Sequence, residues 1–144
     1  MSDKPIAIAS DHAGYELKTT LAQELANLGH EVLDLGTDSA ESVDYPDFAE
    51  AMAAAIAEGR ADRGVLVCGT GIGISMAANR HTVLRAALCH DETSARLARE
   101  HNDANVLALG ARMIGVEVAG DCLKAFLDTE FAGGRHVRRV AKLG

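Results

Sequence analysis

Five short aliphatic runs, Ile6–Ser10, Glu31–Leu35, Val65–Cys68, Leu84–Cys89 and Val106–Leu109, punctuate the chain, and segments of helical periodicity separate them. Each run is too short for a helix and is bounded by glycine or polar residues, so the alternation predicts parallel strands joined by crossover helices. The first unit shows the rule. After Ile6–Ser10 comes the polar turn Asp11-His12-Ala13-Gly14, then Leu17, Leu21, Leu25 and Leu28 at helical spacing, with Gly29 as the helix stop before the second run. A strand–helix–strand unit closes in about thirty residues, as a parallel pair requires.

The same grammar continues along the chain. A polar loop from Thr37 to Asp44 leads to Tyr45-Pro46-Asp47, where Pro46 suits the first helical position and Asp47 complements the helix dipole. Phe48, Met52, Ala55 and Ile56 form the expected buried face of that helix and Gly59 its end. A short helix from about Ile72 to Asn79 follows the third run, and Asp91 reads as the N-cap of a helix over Glu92–His101, ended by Asn102 in the left-handed conformation. Val118, Ala119, Cys122, Leu123, Phe126 and Leu127 mark the buried stripe of a long last helix, which Gly133-Gly134 breaks. The predicted fold is α/β: a single domain over 1–144, a three-layer α/β/α sandwich with a five-stranded parallel sheet, doubly wound and Rossmann-like. Such sheets bind ligands at the carboxyl ends of their strands. The loops of interest are then Ser10–Gly14, Gly36–Tyr45, Cys68–Gly73, Cys89–Asp91 and Gly110–Arg112.

Composition narrows the partners. A formal net charge of -7 opposes binding to nucleic-acid backbones and anionic membranes, and with Trp 0, Tyr 2 and Phe 3 there is little to stack on bases. No run of about eighteen apolar residues occurs, and Met1-Ser2-Asp3-Lys4-Pro5 has no apolar signal core, so the expected compartment is the cytoplasm. Cys68, Cys89 and Cys122 are odd in number and widely spaced, which supports neither a disulfide framework nor a zinc site. One local feature runs against the net charge. From Phe131 to Gly144 there is no acidic residue, yet Arg135, His136, Arg138, Arg139 and Lys142 occur together, either as a solvated tail or as a cradle for a small anion.

The chemistry concentrates in Gly64–Ser75. Its glycine spacing, Gly69-x-Gly71-x-Gly73, has no following Lys-Ser or Lys-Thr and follows the third run rather than the first, so neither a P-loop nor a dinucleotide fingerprint is present. What remains is a turn free of side chains where N–H groups and a helix N-terminus converge on an anion. Cys68 ends the strand beside it. A thiolate there is suited to removing a proton next to a carbonyl, because the same N–H groups would hold the enediolate oxygen. Cys89 and Cys122 read as small buried hydrophobes. His12 follows the first strand and His101 ends a helix, so both are placed to reach the carboxyl face, while His30, His81 and His90 carry no functional signal. No histidine spacing suggests a metal.

Set side by side, Ser10-Asp-His-Ala-Gly14, Asp44-Tyr-Pro46, Cys68-Gly-Thr-Gly-Ile-Gly73, His101-Asn-Asp103, Gly110-Ala-Arg112 and Gly133-Gly-Arg-His-Val-Arg-Arg139 resemble the type B ribose-5-phosphate isomerases. These lie within a family that also includes allose- and galactose-6-phosphate isomerases. The resemblance runs from Ile6 to about Lys142 and implies a cofactor- and metal-free aldose–ketose isomerisation of D-ribose 5-phosphate and D-ribulose 5-phosphate. It implies Cys68 as the base, Thr70 assisting proton transfer, and the N–H groups of Gly69, Gly71, Ile72 and Gly73 holding the enediolate. His101 would open the furanose ring, Asp11, Tyr45 and Asn102 would bind sugar hydroxyls, and His12, Arg112, Arg135 and Arg139 would bind phosphate. Some members use a glutamate further into the loop's helix; Ser75 and its neighbours offer no acid. Members are dimers or tetramers with shared sites, which would send the segment of about 133–144 into a neighbouring subunit. Arg135 and Arg139 are one helical turn apart on one face and Arg138 lies off it. Two alternatives stay open, a six-carbon sugar-phosphate isomerase and a non-catalytic nucleotide- or flavin-binding module of flavodoxin type.

Overall fold

The computed structural model describes residues 3–144; Met1 and Ser2, part of the polar N-terminus and of the expected 1–144 domain, lie outside the described residues. Strands β1 (Ile6–Ser10), β2 (Val32–Asp34), β3 (Arg63–Cys68), β4 (Ala86–Leu88) and β5 (Val106–Gly110) form one parallel sheet in the order β2-β1-β3-β5-β4. Between and after them come α1 (Tyr15–Asn27), α2 (Tyr45–Ala57), α3 (Ile72–Ala78), α4 (Glu92–Asn102), α5 (Val116–Asp128) and the short α6 (Arg135–Ala141). The three-layer α/β sandwich read from the alternation is the observed fold. The edge strands β2 and β4 are three residues each, shorter than their aliphatic runs, and each has a ladder partner on one side only.

Side-chain alternation divides the core. Ile6 and Ile8, Val65 and Val67, Leu107 and Leu109 pack with α1, α4 and α5, whereas Ala7, Ala9, Leu66, Cys68, Val106 and Ala108 pack with α2 and α3. Three central strands buried on both faces explain why their sequences are continuous aliphatic runs rather than alternating ones. Cys89 and Cys122 lie in the first layer. Burial raises the Cys89 thiol above its ordinary value and pushes that of Cys122 up to about 11, so both stay protonated at neutral pH.

Several local expectations change. Leu28 is 47% exposed, because α1 ends one residue before it, and Gly29 makes the turn at φ 91°. Phe48 and Ile56 are half-buried; Ala49, Met52, Ala53 and Ala55 form the covered face of α2. Val118 is exposed, since cover over α5 begins at Ala119. Asn102 remains helical, and the left-handed residue closing α4 is Asp103 at φ 46°. Arg99 and Arg85 explain the shift: Arg99 donates to the Asp103 carboxylate at 2.9 Å and Arg85 Nε to its carbonyl at 2.8 Å. The Asp91 cap is present, its carboxylate accepting from Ser94 N–H at 2.7 Å. One residue breaks the pattern outright. Lys18, in the stripe of Leu17, Leu21 and Leu25, is 2% exposed.

The chain leaves β1 for one edge of the sheet, while β3 lies on β1's other side. Connections diverging at that point open a crevice at the carboxyl ends of β1 and β3. The loops after Ser10 and Cys68 form its walls.

Candidate active site

Cys68 closes β3, 4% exposed, and the turn after it bends back over its sulfur: Gly71 N–H donates to Cys68 Sγ at 3.1 Å. A donor aimed at sulfur is complementary to negative charge there. Gly71 makes this turn at φ 76°, and a Cβ on it would stand 2.5 Å from Leu88 Cδ1 and 2.9 Å from the Leu109 carbonyl carbon. Left-handed backbone and lack of space both require glycine at this position. For Gly71→Ala we expect a loss of about 3 kcal/mol, the sum of a left-handed penalty and overpacking. The unfolding midpoint should drop by about 10 °C in calorimetry.

The remaining walls converge on this turn. Arg112 N–H donates to the Gly69 carbonyl at 2.9 Å, and the Arg112 guanidinium lies close enough that a Cβ on Gly69 would meet Nη1 at 3.3 Å. The Tyr45 ring, at the start of α2, covers Gly73, where a Cβ would lie 2.7 Å from the ring. Asp11 is buried and accepts from Gly14 N–H at 3.1 Å, closing the turn into α1. His12 Nδ1 accepts from Val43 N–H at 3.1 Å, so the neutral ring carries its hydrogen on Nε2 and retains that donor for a ligand. Together Asp11, His12, Ala13, Tyr45, Cys68, Gly69, Thr70, Ile72, Gly73 and Arg112 line a cavity of about 450 Å³. That is room for a small polar metabolite.

The expected oxyanion donors are not all vacant. In the ligand-free chain Gly71 N–H donates to the Cys68 sulfur and Ile72 N–H to Thr70 Oγ1 at 3.2 Å, so neither is the idle donor that the resemblance implies. Gly73, in the first turn of α3, belongs to the N–H groups that a helix leaves without intrahelical acceptors.

Four expected residues lie elsewhere. His101 and Asn102 end α4, and a crossover helix runs antiparallel to its strands, so its end returns to the amino edge of the sheet. There Asn105 N–H donates to the carbonyl of Arg85, the residue before β4. His101 therefore does not reach the carboxyl face of its own chain, contrary to the reading of that helix end. Asn102 lines a separate cavity of about 440 Å³ with Asn79, Arg85 and Leu143. Arg135 and Arg139 project from α6, which packs on α4 and is exposed throughout its arginines. His136, which the spacing did not single out, stacks on His101 with ring centroids 4.5 Å apart and planes 15° from parallel. Burial, then the neighbouring His101, Arg135 and Arg139, hold His136 below the ordinary imidazole range. The sole sequence signal for that pairing is its place beside Arg135 in the basic segment. Among the described residues no group of three or more His, Cys, Asp and Glu could hold a metal ion, and no helix is long and apolar enough to cross a membrane.

The sequence profile of the ribose/galactose isomerase family matches residues 6–143. The chain belongs to that family. It is 47% identical over 137 residues to the ribose-5-phosphate isomerase B of Escherichia coli K12, covering 95% of this chain and 92% of that one. It is 46% identical over 140 residues to the D-erythrulose-4-phosphate isomerase of Pectobacterium atrosepticum, covering 96% and 92%. A crystal structure of Mycoplasma genitalium ribose-5-phosphate isomerase B with bound ribulose 5-phosphate superposes with a TM-score of 0.94 at 40% identity, covering 99% of this chain and 95% of that one. Family membership sets aside the flavodoxin-type binding module. Within the family, near-equal identity to a five-carbon and a four-carbon isomerase shows that overall similarity does not select chain length.

Proposed function

We propose that this isomerase interconverts D-ribose 5-phosphate and D-ribulose 5-phosphate through an enediolate, with Cys68 as the base. The observation that carries the reading is the Cys68 sulfur at the switch-point crevice, under a Gly71 N–H and with Arg112 beside the same turn. Cys68 takes the proton from C2 of the open-chain aldose. The C2–H electron pair forms the C1–C2 double bond and charge passes to the C1 oxygen. Return of the proton to C1, with transfer of the O2 hydrogen to O1, gives the ketose; Thr70 at the cavity wall assists that oxygen-to-oxygen transfer. N–H groups at the start of α3, Gly73 among them, stabilise the oxyanion.

The phosphate is held by His12 through Nε2–H and by Arg112, with Arg135 and Arg139 supplied by a second copy of the chain. What supports a shared site is the separation of the two residue sets: the cavity wall holds Arg112 as its one arginine, and His101, Asn102, Arg135 and Arg139 lie at the opposite edge of the same chain. In a homodimer, His101 of the partner chain would open the furanose and Asn102 would bind a hydroxyl beside Asp11 and Tyr45. No step calls on a metal or cofactor.

Initial rates on purified protein with ribose 5-phosphate, erythrose 4-phosphate, allose 6-phosphate and galactose 6-phosphate, with and without chelator, test the assignment. The highest kcat/KM is expected for ribose 5-phosphate, unchanged by chelation. Absence of turnover with the whole panel overturns the isomerase reading, and a higher kcat/KM for another chain length reassigns the substrate.

A further inference from the structure

Helix α1 buries one ammonium among its leucines. Lys18 Nζ donates to Asp34 Oδ1 at 2.8 Å, to Asp34 Oδ2 at 2.9 Å and to the Thr37 carbonyl at 2.7 Å, which occupies all three of its protons. Only the ammonium end of this pair is buried, Lys18 being 2% and Asp34 51% exposed, and desolvating that charge costs what an apolar side chain in the same stripe would not. What the three bonds accomplish is positional. They tie the end of β2 and the start of the 35–44 loop to α1. From the other side, Ser10 N–H donates to the Gly36 carbonyl at 2.8 Å and Thr37 N–H to the Ser10 carbonyl at 2.9 Å, one residue before Asp11 and two before His12. Asp34 Oδ1 also accepts from Gly36 N–H at 2.9 Å. The far end of the same loop presents Val43 N–H to His12 Nδ1 and then enters α2 at Tyr45, whose ring covers Gly73.

We propose that Lys18 is a positioning residue for the active site: through Thr37 it holds the 35–44 loop in the place from which Val43 keeps His12 in its Nε2–H tautomer. A neutral ring fixed this way offers a donor toward a phosphate, and a loosened loop lets the ring adopt the other tautomer, with its donor turned to Nδ1. The effect on phosphate affinity rests on the isomerase reading. The tautomer itself is a property of the ligand-free chain and does not.

The test is Lys18→Met in the full chain, followed by imidazole nitrogen NMR without substrate, thermal unfolding, and kinetics with ribose 5-phosphate. The His12 resonances are assigned by difference against His12→Asn. Lys18→Met should fold with a lower unfolding midpoint, because Asp34 is 51% exposed and can hydrate while the buried Thr37 carbonyl loses its donor. The wild-type chain is expected to show His12 as a single Nε2–H tautomer and the variant a mixture of both. KM should rise about tenfold, the loss of one charge-assisted hydrogen bond, with kcat within about threefold. A lower unfolding midpoint with an unchanged His12 tautomer and unchanged KM makes Lys18 a structural residue only and overturns the proposal. Should Lys18→Met not fold, Asp34→Asn loosens the clamp from its exposed end and is read by the same signals with the same criteria. A wild-type chain with His12 as the Nδ1–H tautomer overturns the proposal without any variant. A tautomer shift in protein that never turns over ribose 5-phosphate supports the positioning role and removes the isomerase reading instead.

Discussion

Replacing Cys68 with alanine is expected to lower kcat for ribose 5-phosphate by about 10³-fold, within the usual range for a lost general base, while KM stays within about threefold. The side chain is small and sits at the end of a central strand, so the sheet should tolerate the change; circular dichroism and the unfolding midpoint serve as controls. Cys68→Ser sharpens the result. A hydroxyl in the same position keeps a partner for Gly71 N–H but is a far weaker acid than a thiol, so turnover should remain close to that of alanine. Retention of more than a tenth of wild-type kcat in either variant would falsify the role of Cys68 and move the base elsewhere on the cavity wall. Neither Cys89 nor Cys122 is a substitute, since burial keeps both as neutral thiols inside the layer of α1, α4 and α5.

The second large effect is recovery of activity from two inactive proteins. Cys68→Ala and His101→Asn should each be nearly inactive alone. If one chain supplies Cys68 and the other supplies His101, a mixed dimer carries one intact site and one doubly altered site. Equal mixing after subunit exchange then gives about half mixed dimers, and activity returning to about a quarter of wild type under isologous two-fold pairing. This follows from the position of His101 at the amino edge of the sheet, with Cys68 at the carboxyl edge of the same chain. A mixture as inactive as its components, at a concentration where exchange is shown by mass, would mean that the two residues do not share a site across subunits.

Much of the fold was legible because its determinants are local. Aliphatic runs of four to six residues, helical leucine spacing in α1, the Asp91 cap and glycine stops at Gly29 and Gly59 each act within a few residues of themselves. The errors arose where a neighbour decides. Asn102 and Asp103 are both acceptable left-handed residues, and the choice fell to Asp103 through two arginines, one of them eighteen residues upstream. Val118 fits the apolar stripe of α5 by period, yet cover over that helix starts only at Ala119. Lys18 could not be read as buried, because the groups that satisfy it, Asp34 and the Thr37 carbonyl, lie across the β2 turn.

For the site, the chemical types are legible along the chain: a thiol at a strand end, glycines where N–H groups must approach closely, a histidine after the first strand and a basic terminal segment. Their order along the chain was enough to place them in a family of sugar-phosphate isomerases. Which of them meet depends on how the strands and helices fold together. Parallel strand order brings Asp11, His12, Cys68 and Arg112 to one crevice, and the antiparallel return of α4 carries His101 to the other edge. Folding also occupies two of the donors, since Gly71 N–H donates to the buried Cys68 sulfur and Ile72 N–H to the exposed Thr70 hydroxyl. The difference is one of range: backbone preference and burial pattern are written residue by residue, whereas the partner of a hydrogen bond and the direction in which a helix returns depend on chain segments folded against one another.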